Sequence, residues 1–350
     1  RDYAVTGVQT CALPIWGTEL FVENLTHSNE ELAVFPTVAA QYSFREQHIR
    51  ATLAARGFDL ATVACVVGRG GLLKAIPGGI YAVNQVMKDE LRTSPYGEHA
   101  SNLGALIADA LASEIGVPAF IADPVVVDEL ADVARVYGHR LFRKRSIFHA
   151  LNQKAVARRW AAQRGKTYGE VTLIVAHLGG GVSVGLHQQG RVVDVNNALN
   201  GEGPFSPERT GTLPAGDLAK LCFSGTYTEK EVMKMITGQG GLVSLAGTND
   251  MRTLAARVEA GDPESTLIFQ AFIYNVGKAI GALAAAADGK VDGIIITGGI
   301  AHSQPIQDGL QRMCGWIAPL AVYPGEGELE ALAQAGSRAL SGEEPAKEYR

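Results

Sequence analysis

Four polar side chains in the middle of the chain have the chemistry to stabilise an anion or to bind a metal ion. His149, His177 and Arg209 supply hydrogen-bond donors and positive charge, and Asp123 supplies a carboxylate. Fixed donors and cations of this kind stabilise the negative charge that develops on a group in transfer. Each residue also has a plainer explanation. Asp123 precedes a proline and is typical of a turn, Arg209 suits a surface loop, and a single histidine is often a core residue.

Glycine clusters follow strand-like runs at three places, Gly68–Gly71, Gly179–Gly181 and Gly298–Gly299. Successive backbone N–H groups in such turns form concave sites for anions. One cluster alone would indicate an ordinary turn, whereas three in one chain favour a protein that binds phosphate groups. Gly165–Thr167 looks like the end of a P-loop, but Trp160 stands where that motif requires its first glycine. We therefore reject a P-loop.

Strand-like and helix-like segments alternate along the chain, which predicts an α/β fold. Apolar residues at helical spacing predict a helix at 99–115, ended by Gly116, and a buried helix at 271–287. One strand, 182–186, alternates apolar and polar residues and is predicted to be half-buried. The other expected strands are 62–67, 117–121, 171–176, 191–195 and 291–297, and the tail from Gly327 is expected to be helical.

The composition bounds the class of protein. A chain of 350 residues suggests two domains, and 47% hydrophobic with 19% charged residues is a globular composition. The formal charge of -5 and the absence of any basic run longer than Arg143–Arg145 argue against nucleic acid as a partner. The four cysteines form no CxxC pair, which predicts a reducing, cytoplasmic location. No membrane span is predicted, because Asn275 and Lys278 interrupt the longest apolar stretch.

Several segments taken together resemble the acetokinase family, the acetate and butyrate kinases, and their wording is closer to the butyrate kinases. The segments lie in the family's order and cover nearly everything from Glu19 onward. They are Gly68–Gly71, Asp123–Asp128, Phe148–Gln153, His177–Gly181, Pro207–Gly211, Thr297–Ile300 and Pro324–Glu328. Each motif alone is weak, and seven in register are specific.

The resemblance implies a fold and a reaction. The fold would be the two-domain actin-like ATPase superfold, with duplicated mixed-sheet α/β domains that close on a nucleotide cleft. We expect residues 17–150 and 320–350 to form the first domain and 151–319 the second, nucleotide-binding domain. The reaction would be butyrate + ATP = butyryl phosphate + ADP. The implied cofactors are ATP and Mg²⁺, and the implied partners are a small-molecule carboxylate and further copies of the chain, as a dimer or higher homo-oligomer.

The resemblance also assigns roles to residues at the matching positions. Arg209 and His149 would contact the transferring phosphoryl group, and Asp123 would be a catalytic carboxylate that organises Mg²⁺. Residues that would bind the nucleotide are His177, Gly179, Gly180, Gly181, Gly298 and Gly299.

Two further assignments concern the substrate and the metal. Arg69 would bind the substrate carboxylate, although it lies a few residues from the family's usual position, and Phe148 would lie beside the acyl chain. Glu328, or alternatively Glu326, would be a glutamate near the metal.

Other functions stay open on the sequence alone. Within the fold, a branched-chain fatty acid, propionate or acetate is an alternative substrate, and pocket volume would decide. Outside the kinases, the alternatives are an actin-like ATPase and an inactive fragment. The paired His149 and Arg209 favour an acceptor carboxylate over water.

The N-terminal segment differs from the family's pattern. Residues 1–15 read RDYAVTGVQTCALPI, begin without methionine and lack the Asn-Pro-Gly-Ser-Thr-like loop between two strands. They look like translated sequencing adapter. We therefore expect residues 1–16 to be an artefact that replaces native sequence, and the first strands of the first domain to be missing.

Overall fold

The computed structural model describes the backbone of residues 2–6, 10–15 and 18–350, and side chains from residue 20 onward except residue 29. The strands are β1 Asp2–Thr6, β2 Thr10–Ile15, β3 Thr18–Asn24, β4 Val63–Gly68, β5 Ile80–Ala82, β6 Ala119–Ala122, β7 Thr172–Leu178, β8 Val182–Gln188, β9 Arg191–Val195, β10 Gly293–Gly298, β11 Leu320–Pro324 and β12 Lys347–Glu348. The helices are α1 Asn29–Ala33, α2 Tyr42–Ala55, α3 Gln85–Thr93, α4 Asn102–Ile115, α5 Ala150–Ala162, α6 Ala215–Cys222, α7 Glu229–Ile236, α8 Gly241–Ala246, α9 Met251–Glu259, α10 Pro263–Ala286, α11 Gln304–Cys314 and α12 Glu328–Ser341. Short 3-10 turns join several of them.

The chain forms two compact units. Unit 1 is Arg1–Val127 with Gly327–Arg350, and unit 2 is Asp128–Glu326. The sheet of unit 1 has the strand order β12-β5-β6-β4-β1-β2-β3, and that of unit 2 has the order β11-β10-β7-β8-β9. In unit 1 α4 and α12 pack on β4 and β6. In unit 2 α5 packs on β7 and β10, and α10 packs on β7 and β8.

The two sheets share a five-strand topology. In unit 2, β7, β10 and β11 are parallel, and β8 and β9 continue from β7 as an antiparallel meander. In unit 1, β1, β4 and β6 are parallel, and β2 and β3 continue from β1 in the same antiparallel way. This repeat is the internal duplication that the sequence resemblance implies.

The N-terminal segment contributes strands to the sheet of unit 1. The sequence predicts that the first strands are missing, yet the structure has β1 and β2 within residues 2–15, and β1 pairs in parallel with β4 from Asp2 to Thr6. Their places in the sheet match those of β7 and β8 in unit 2. Backbone pairing can be made by many sequences, since the ladder uses N–H and C=O groups alone. That residues 1–16 replace native sequence stays a prediction.

The domain boundary also differs from the expected one. Residues 320–326 and the longer segment 128–150 are expected in the first domain but lie in unit 2. Specific bonds hold them there. Ala131 N donates to Val193 O at 2.8 Å, and Ala198 N donates to Ile147 O at 2.9 Å. The sequence shows no change of composition at the observed boundary. The boundary depends on backbone hydrogen bonds to unit 2, which no sequence pattern reveals.

The predicted helices are present. α4 ends at Gly116, which takes the left-handed conformation (φ 68°) expected of a C-cap glycine. α10 begins at Pro263, earlier than the expected residue 271, and by length and composition alone it could cross a membrane. Half of its most apolar window is buried within the protein, and its side chains pack in the core with β7, β8 and α11. These contacts make α10 the core helix of unit 2.

Candidate active site

The first turn of α5 carries three polar side chains on one face. His149 is the N-cap residue, and Asn152 and Gln153 follow at the i+3 and i+4 positions that share a helix face. Asn152 and Gln153 are buried, at 2% and 0% exposure. Buried amides need hydrogen-bond partners, so this turn is committed to holding neighbouring groups in place.

Two histidines stack beside this turn. The rings of His149 and His177 are nearly parallel, with centroids 3.7 Å apart and an interplanar angle of 8°. His177 Nδ1 lies 2.7 Å from Asn152 Oδ1. Asn152 Nδ2 donates to Thr297 Oγ1 at 3.2 Å and to the carbonyl oxygen of Glu326. One amide therefore connects α5, β7, β10 and the end of unit 2.

The glycine turn after β7 makes room for an arginine. A Cβ added at Gly181 would lie 2.1 Å from Arg209 Nη1 and 3.4 Å from His149 Cε1. Arg209 Nη1 donates to Ala198 O at 2.7 Å, and Ser206 Oγ donates to Gly180 O at 2.7 Å. The loop that carries Arg209 is thus bonded to the turn that makes space for it.

Burial lowers the pKa of the Arg209 guanidinium from its ordinary value, and the adjacent Glu208 opposes that change. A guanidinium stays protonated at neutral pH in proteins, so Arg209 keeps its charge. A partly desolvated cation beside two imidazoles makes this part of unit 2 suited to an anion.

Gly298 is the last residue of β10 in the same sheet, and Gly299 follows it. Gly298 has φ 88°, and a Cβ there would lie 2.3 Å from Leu178 O, so only glycine fits. Gly298 and Gly325 exchange two backbone hydrogen bonds of 3.0 Å. A Cβ at Gly299 or at Gly180 would meet nothing within 4 Å, so these two turns leave open space next to the strand ends.

Asp123 and a separate ion pair lie in unit 1. Asp123 is 2% exposed and has φ 37°, an uncommon value for a residue other than glycine. Gly79 N donates to its Oδ1 at 2.7 Å. Arg69 Nη2 donates to Glu328 Oε1 at 2.8 Å, and Glu328 is the first residue of α12. Within the described part of the chain, no group of three or more His, Cys, Asp or Glu residues is placed to hold a metal ion.

Comparisons with known proteins identify the family of this chain. Residues 130–314 match the acetokinase family. The chain is 53% identical over 331 residues to a probable butyrate kinase of Clostridium botulinum (strain Alaska E43 / Type E3), covering 95% of this chain and 93% of the relative. It is 50% identical over 332 residues to butyrate kinase 2 of Clostridium acetobutylicum, with the same coverage. The chain belongs to the acetokinase family.

Solved structures of the family share its fold. The Porphyromonas gingivalis acetate kinase superposes with a TM-score of 0.73 at 17% identity, covering 95% of this chain and 89% of that one. A propionate kinase from Francisella tularensis gives 0.72 at 18% identity, covering 95% and 98%. The predicted actin-like ATPase superfold is confirmed. Enzymes of the acetokinase family use ATP and a divalent metal ion to phosphorylate a small carboxylate.

The structure distributes the predicted site residues between the two units. Those in unit 2 are Arg209, His149, His177, Phe148, Gly179, Gly180, Gly181, Gly298 and Gly299, and those in unit 1 are Asp123, Arg69 and Glu328. Of these, His149, His177 and Arg209 gather around Gly181, and Arg69 pairs with Glu328. Glu326, the alternative to Glu328, accepts a bond from Asn152 through its main-chain oxygen. Phe148 is 2% exposed and buried.

Sequence reasoning missed the residues that support the two histidines. Asn152, Gln153 and Ser183 lie beneath them, all 2% exposed or less. The helical spacing of His149, Asn152 and Gln153 was a usable signal, because positions i, i+3 and i+4 share a face.

The prediction for strand β8 was wrong. Its pattern predicts a half-buried strand, but both of its faces are buried from Val182 to His187.

Proposed function

We propose that this chain transfers the γ-phosphoryl group of ATP to the carboxylate of butyrate, giving butyryl phosphate and ADP. The observation that supports it most directly is the identity of 50–53% over nearly the whole chain to butyrate kinases. The cluster of His149, His177 and Arg209 around the β7 glycine turn supplies the chemistry that the reaction needs. A carboxylate is already ionised at neutral pH, so the acceptor requires no general base.

Arg209 and His149 would act on the transferring phosphoryl group. Phosphoryl transfer depends on in-line positioning and on positive charge around oxygens that share the transition-state charge. Arg209 presents a planar, charged guanidinium that can donate two parallel hydrogen bonds to phosphate. A Cβ added at Gly181 would meet Arg209 first and His149 Cε1 at 3.4 Å, so both donors border the same glycine.

The nucleotide phosphates would be held by His177 with the backbone of Gly179, Gly180 and Gly181, and Gly298 and Gly299 would lie beside the adenosine. Support comes from the open space at Gly180 and Gly299, where the backbone can approach a ligand closely. Backbone N–H groups at a glycine-rich strand end are suited to this task, because they donate hydrogen bonds and introduce no steric bulk.

A divalent cation, which we propose to be Mg²⁺, would be held with the help of Asp123 and Glu328. Hard oxygen donors fit this ion, and Mg²⁺ in kinases uses one or two carboxylates with phosphate oxygens and water. The lack of a three-residue protein cluster among the described residues is compatible with that arrangement. When bound, the ion neutralises phosphate charge. Asp123 is held in a fixed orientation for this role by the Gly79 N–H.

Arg69 and Phe148 would bind the substrate, Arg69 its carboxylate and Phe148 its acyl chain. Glu328 Oε1 lies 2.8 Å from Arg69 and fixes the direction of the guanidinium. Support for Phe148 is that it directly precedes His149 in the chain and is buried, at 2% exposure. We further propose a cytoplasmic enzyme that assembles as a dimer or a higher homo-oligomer, which light scattering on the purified chain would test.

The test is ADP formation measured with butyrate, propionate, acetate and isobutyrate, and with no acceptor. Butyrate should exceed acetate in kcat/KM by up to about 15-fold, since each of its two additional methylenes is worth about 0.8 kcal/mol when buried. Phe148→Ala should flatten that preference, whereas Phe272→Ala, a buried phenylalanine of α10, should lower stability and leave the preference unchanged. ADP formation without an acceptor would indicate an ATPase, and a preference for acetate would reassign the substrate.

A further inference from the structure

The polar face of β8 is buried under α5 and carries a continuous chain of hydrogen bonds. Ser183, Gly185 and His187 occupy every second position of the strand and so share one face. Ser183 and His187 are both 0% exposed. Gln153 of α5 bonds to both of them. The glycine between them is needed, because a Cβ at Gly185 would lie 2.5 Å from Gln153 Oε1. Burying polar groups costs free energy of folding unless they form hydrogen bonds. An apolar face would pack here without that requirement, so the polar one suggests a functional role.

The direction of every bond in this chain can be deduced from its fixed members. Gln153 Nε2 lies 3.0 Å from the carbonyl oxygen of Ser183. A carbonyl only accepts, so this atom is the amide nitrogen and the other side of the amide is the oxygen. That oxygen faces His187 Nε2 at 3.0 Å, and therefore His187 must donate from Nε2. In a neutral ring its Nδ1 then accepts from Tyr168 Oη, which lies 2.7 Å away.

The same deduction reaches His149. Ser183 Oγ accepts from Gln153 Nε2 at 2.8 Å and from the main-chain N–H of His149 at 3.5 Å. A hydroxyl has two lone pairs and one proton, so both lone pairs are occupied. The proton is left for the third polar neighbour, His149 Nδ1, at 2.8 Å. The neutral His149 ring must then carry its own proton on Nε2.

We infer that Tyr168, His187, Gln153 and Ser183 form a polarised hydrogen-bond relay that fixes the Nε2–H tautomer of His149. The relay positions a donor and moves no proton during the reaction. It makes these four side chains positioning residues, and it rests on the proposed role of His149 toward the phosphoryl group. With the opposite tautomer, His149 would present a lone pair from Nε2 to an anion, which is repulsive.

The stacked partner has the opposite tautomer by the same logic. Asn152 Nδ2 donates to the carbonyl oxygen of Glu326, which fixes its amide orientation and directs Oδ1 at His177 Nδ1. The proton of a neutral His177 is therefore on Nδ1. Two adjacent imidazoles with opposite tautomers, each set by a different amide of α5, give a distinctive spectroscopic signature.

The direct experiment is long-range ¹H–¹⁵N NMR of the full chain with ¹⁵N-labelled histidine. Peaks are assigned with single His→Gln variants. We expect the proton on Nε2 in His149 and His187, and on Nδ1 in His177. A wild-type His149 with its proton on Nδ1 would overturn the relay.

Substitutions then test its direction. Gln153→Glu keeps the shape but can no longer donate to Ser183, so the Ser183 proton turns to the new carboxylate and His149 must switch to Nδ1–H. We expect kcat to fall roughly tenfold to a hundredfold, part of the scale for losing one donor to a transition state, with the KM values changed less. Ser183→Ala and Gly185→Ala should also lower kcat, because each interrupts the hydrogen-bond relay at another point. A Gln153→Glu variant with an unchanged His149 tautomer contradicts the inference.

Val184→Ala is the matched control. Val184 is also buried on the same strand but faces the apolar core, so its truncation should lower Tm while the His149 tautomer and kcat are retained. If it lowers kcat as much as Ser183→Ala does, the relay has only a structural role. Wild-type chain that forms no ADP with butyrate would instead refute the proposed function, and the tautomers measured by NMR would still decide the relay.

Discussion

The glycine turns after β4 and after β7 each follow an inner, parallel-paired strand of their sheet, yet their glycines are used differently. A Cβ at Gly68 would lie 2.4 Å from the carbonyl oxygen of Gly104 in α4, and one at Gly104 would lie 2.6 Å from the carbonyl oxygen of Arg69. These glycines let α4 approach its sheet. After β7, the atom nearest a Cβ at Gly181 is the end of the Arg209 side chain, and Gly180 faces open space.

A glycine cluster at a strand end therefore has two physical meanings. Where the glycine allows two backbone segments to approach each other, it is needed for packing, and a side chain there lowers stability. Backbone against a functional side chain is a requirement for space, and its violation costs activity. The identity of the nearest atom separates the two cases, and the sequence carries no sign of it.

The largest effect is expected for Arg209 itself. Arg209→Ala should lower kcat by roughly a hundredfold or more, the scale for losing a charged donor to the transition state. Arg209→Lys should fail as well, because a point charge cannot replace a planar fork. Steady-state kinetics on the folded variants measures both. An unchanged kcat in Arg209→Ala would remove the functional half of the comparison.

Gly181→Ala should follow, with kcat reduced roughly tenfold or more and Tm nearly unchanged. The added methyl group collides with Arg209 Nη1, and a flexible side-chain end can swing aside without unfolding the protein. It then leaves its place beside His149. Kinetics and thermal unfolding of the same preparation check this. A large fall in Tm with normal kcat would place Gly181 in the packing class.

Gly68→Ala should show the opposite pattern. Its methyl group meets the backbone of α4, which cannot rotate away, so the free energy of unfolding should fall by about 1–3 kcal/mol, the usual cost of overpacking. Denaturant unfolding measures the loss. Gly216→Ala is the control, because a Cβ at this α6 position meets nothing within 4 Å and should be neutral or slightly stabilising. Equal stability of both variants would contradict the packing role.

The smallest effect concerns pH and unit 1. Burial, with Arg45 and His48 nearby, lowers the pKa of His27 from its ordinary value of 6.5. Since the folded state then binds the proton less readily than the unfolded chain, stability is fully present above pH 6.5 and falls as the pH drops through that value. Urea unfolding at pH 7.5 and pH 5.5 should show the decrease, and His27→Gln should reduce it. A larger free energy of unfolding at pH 5.5 would reverse the sign.

The sequence predicted most of the fold because its elements depend on local patterns. The β9 strand was predicted at 191–195, where the structure has it, and α4 was identified from apolar spacing with its glycine cap. The β8 strand shows the limit. Its apolar and polar residues alternate like those of a surface strand, and only the structure reveals that α5 covers the polar face with an equally polar surface of its own.

The candidate site was predictable to a similar degree. His149, His177 and Arg209 were identified through the family resemblance, and the structure brings them together. Their roles in catalysis stay predictions. The supporting Asn152 and Gln153 lie within the Phe148–Gln153 motif, and their spacing predicts that they share a helix face with His149. The groups to which they bond are distant in sequence, so no local pattern identifies those partners. The replacement of native sequence at residues 1–16 also stays a prediction.

The single amide of Asn152 has a consequence for how the enzyme folds. It bonds to groups 145 and 174 residues later in the chain, Thr297 and Glu326. Contacts this far apart in sequence form only after a long loop has closed, which slows their formation. During synthesis, a nascent chain that ends before Glu326 lacks one of the hydrogen bonds that orient Asn152, and through it His177. Refolding should therefore restore secondary structure first, and phosphoryl transfer only after the last strand of unit 2 has joined its sheet.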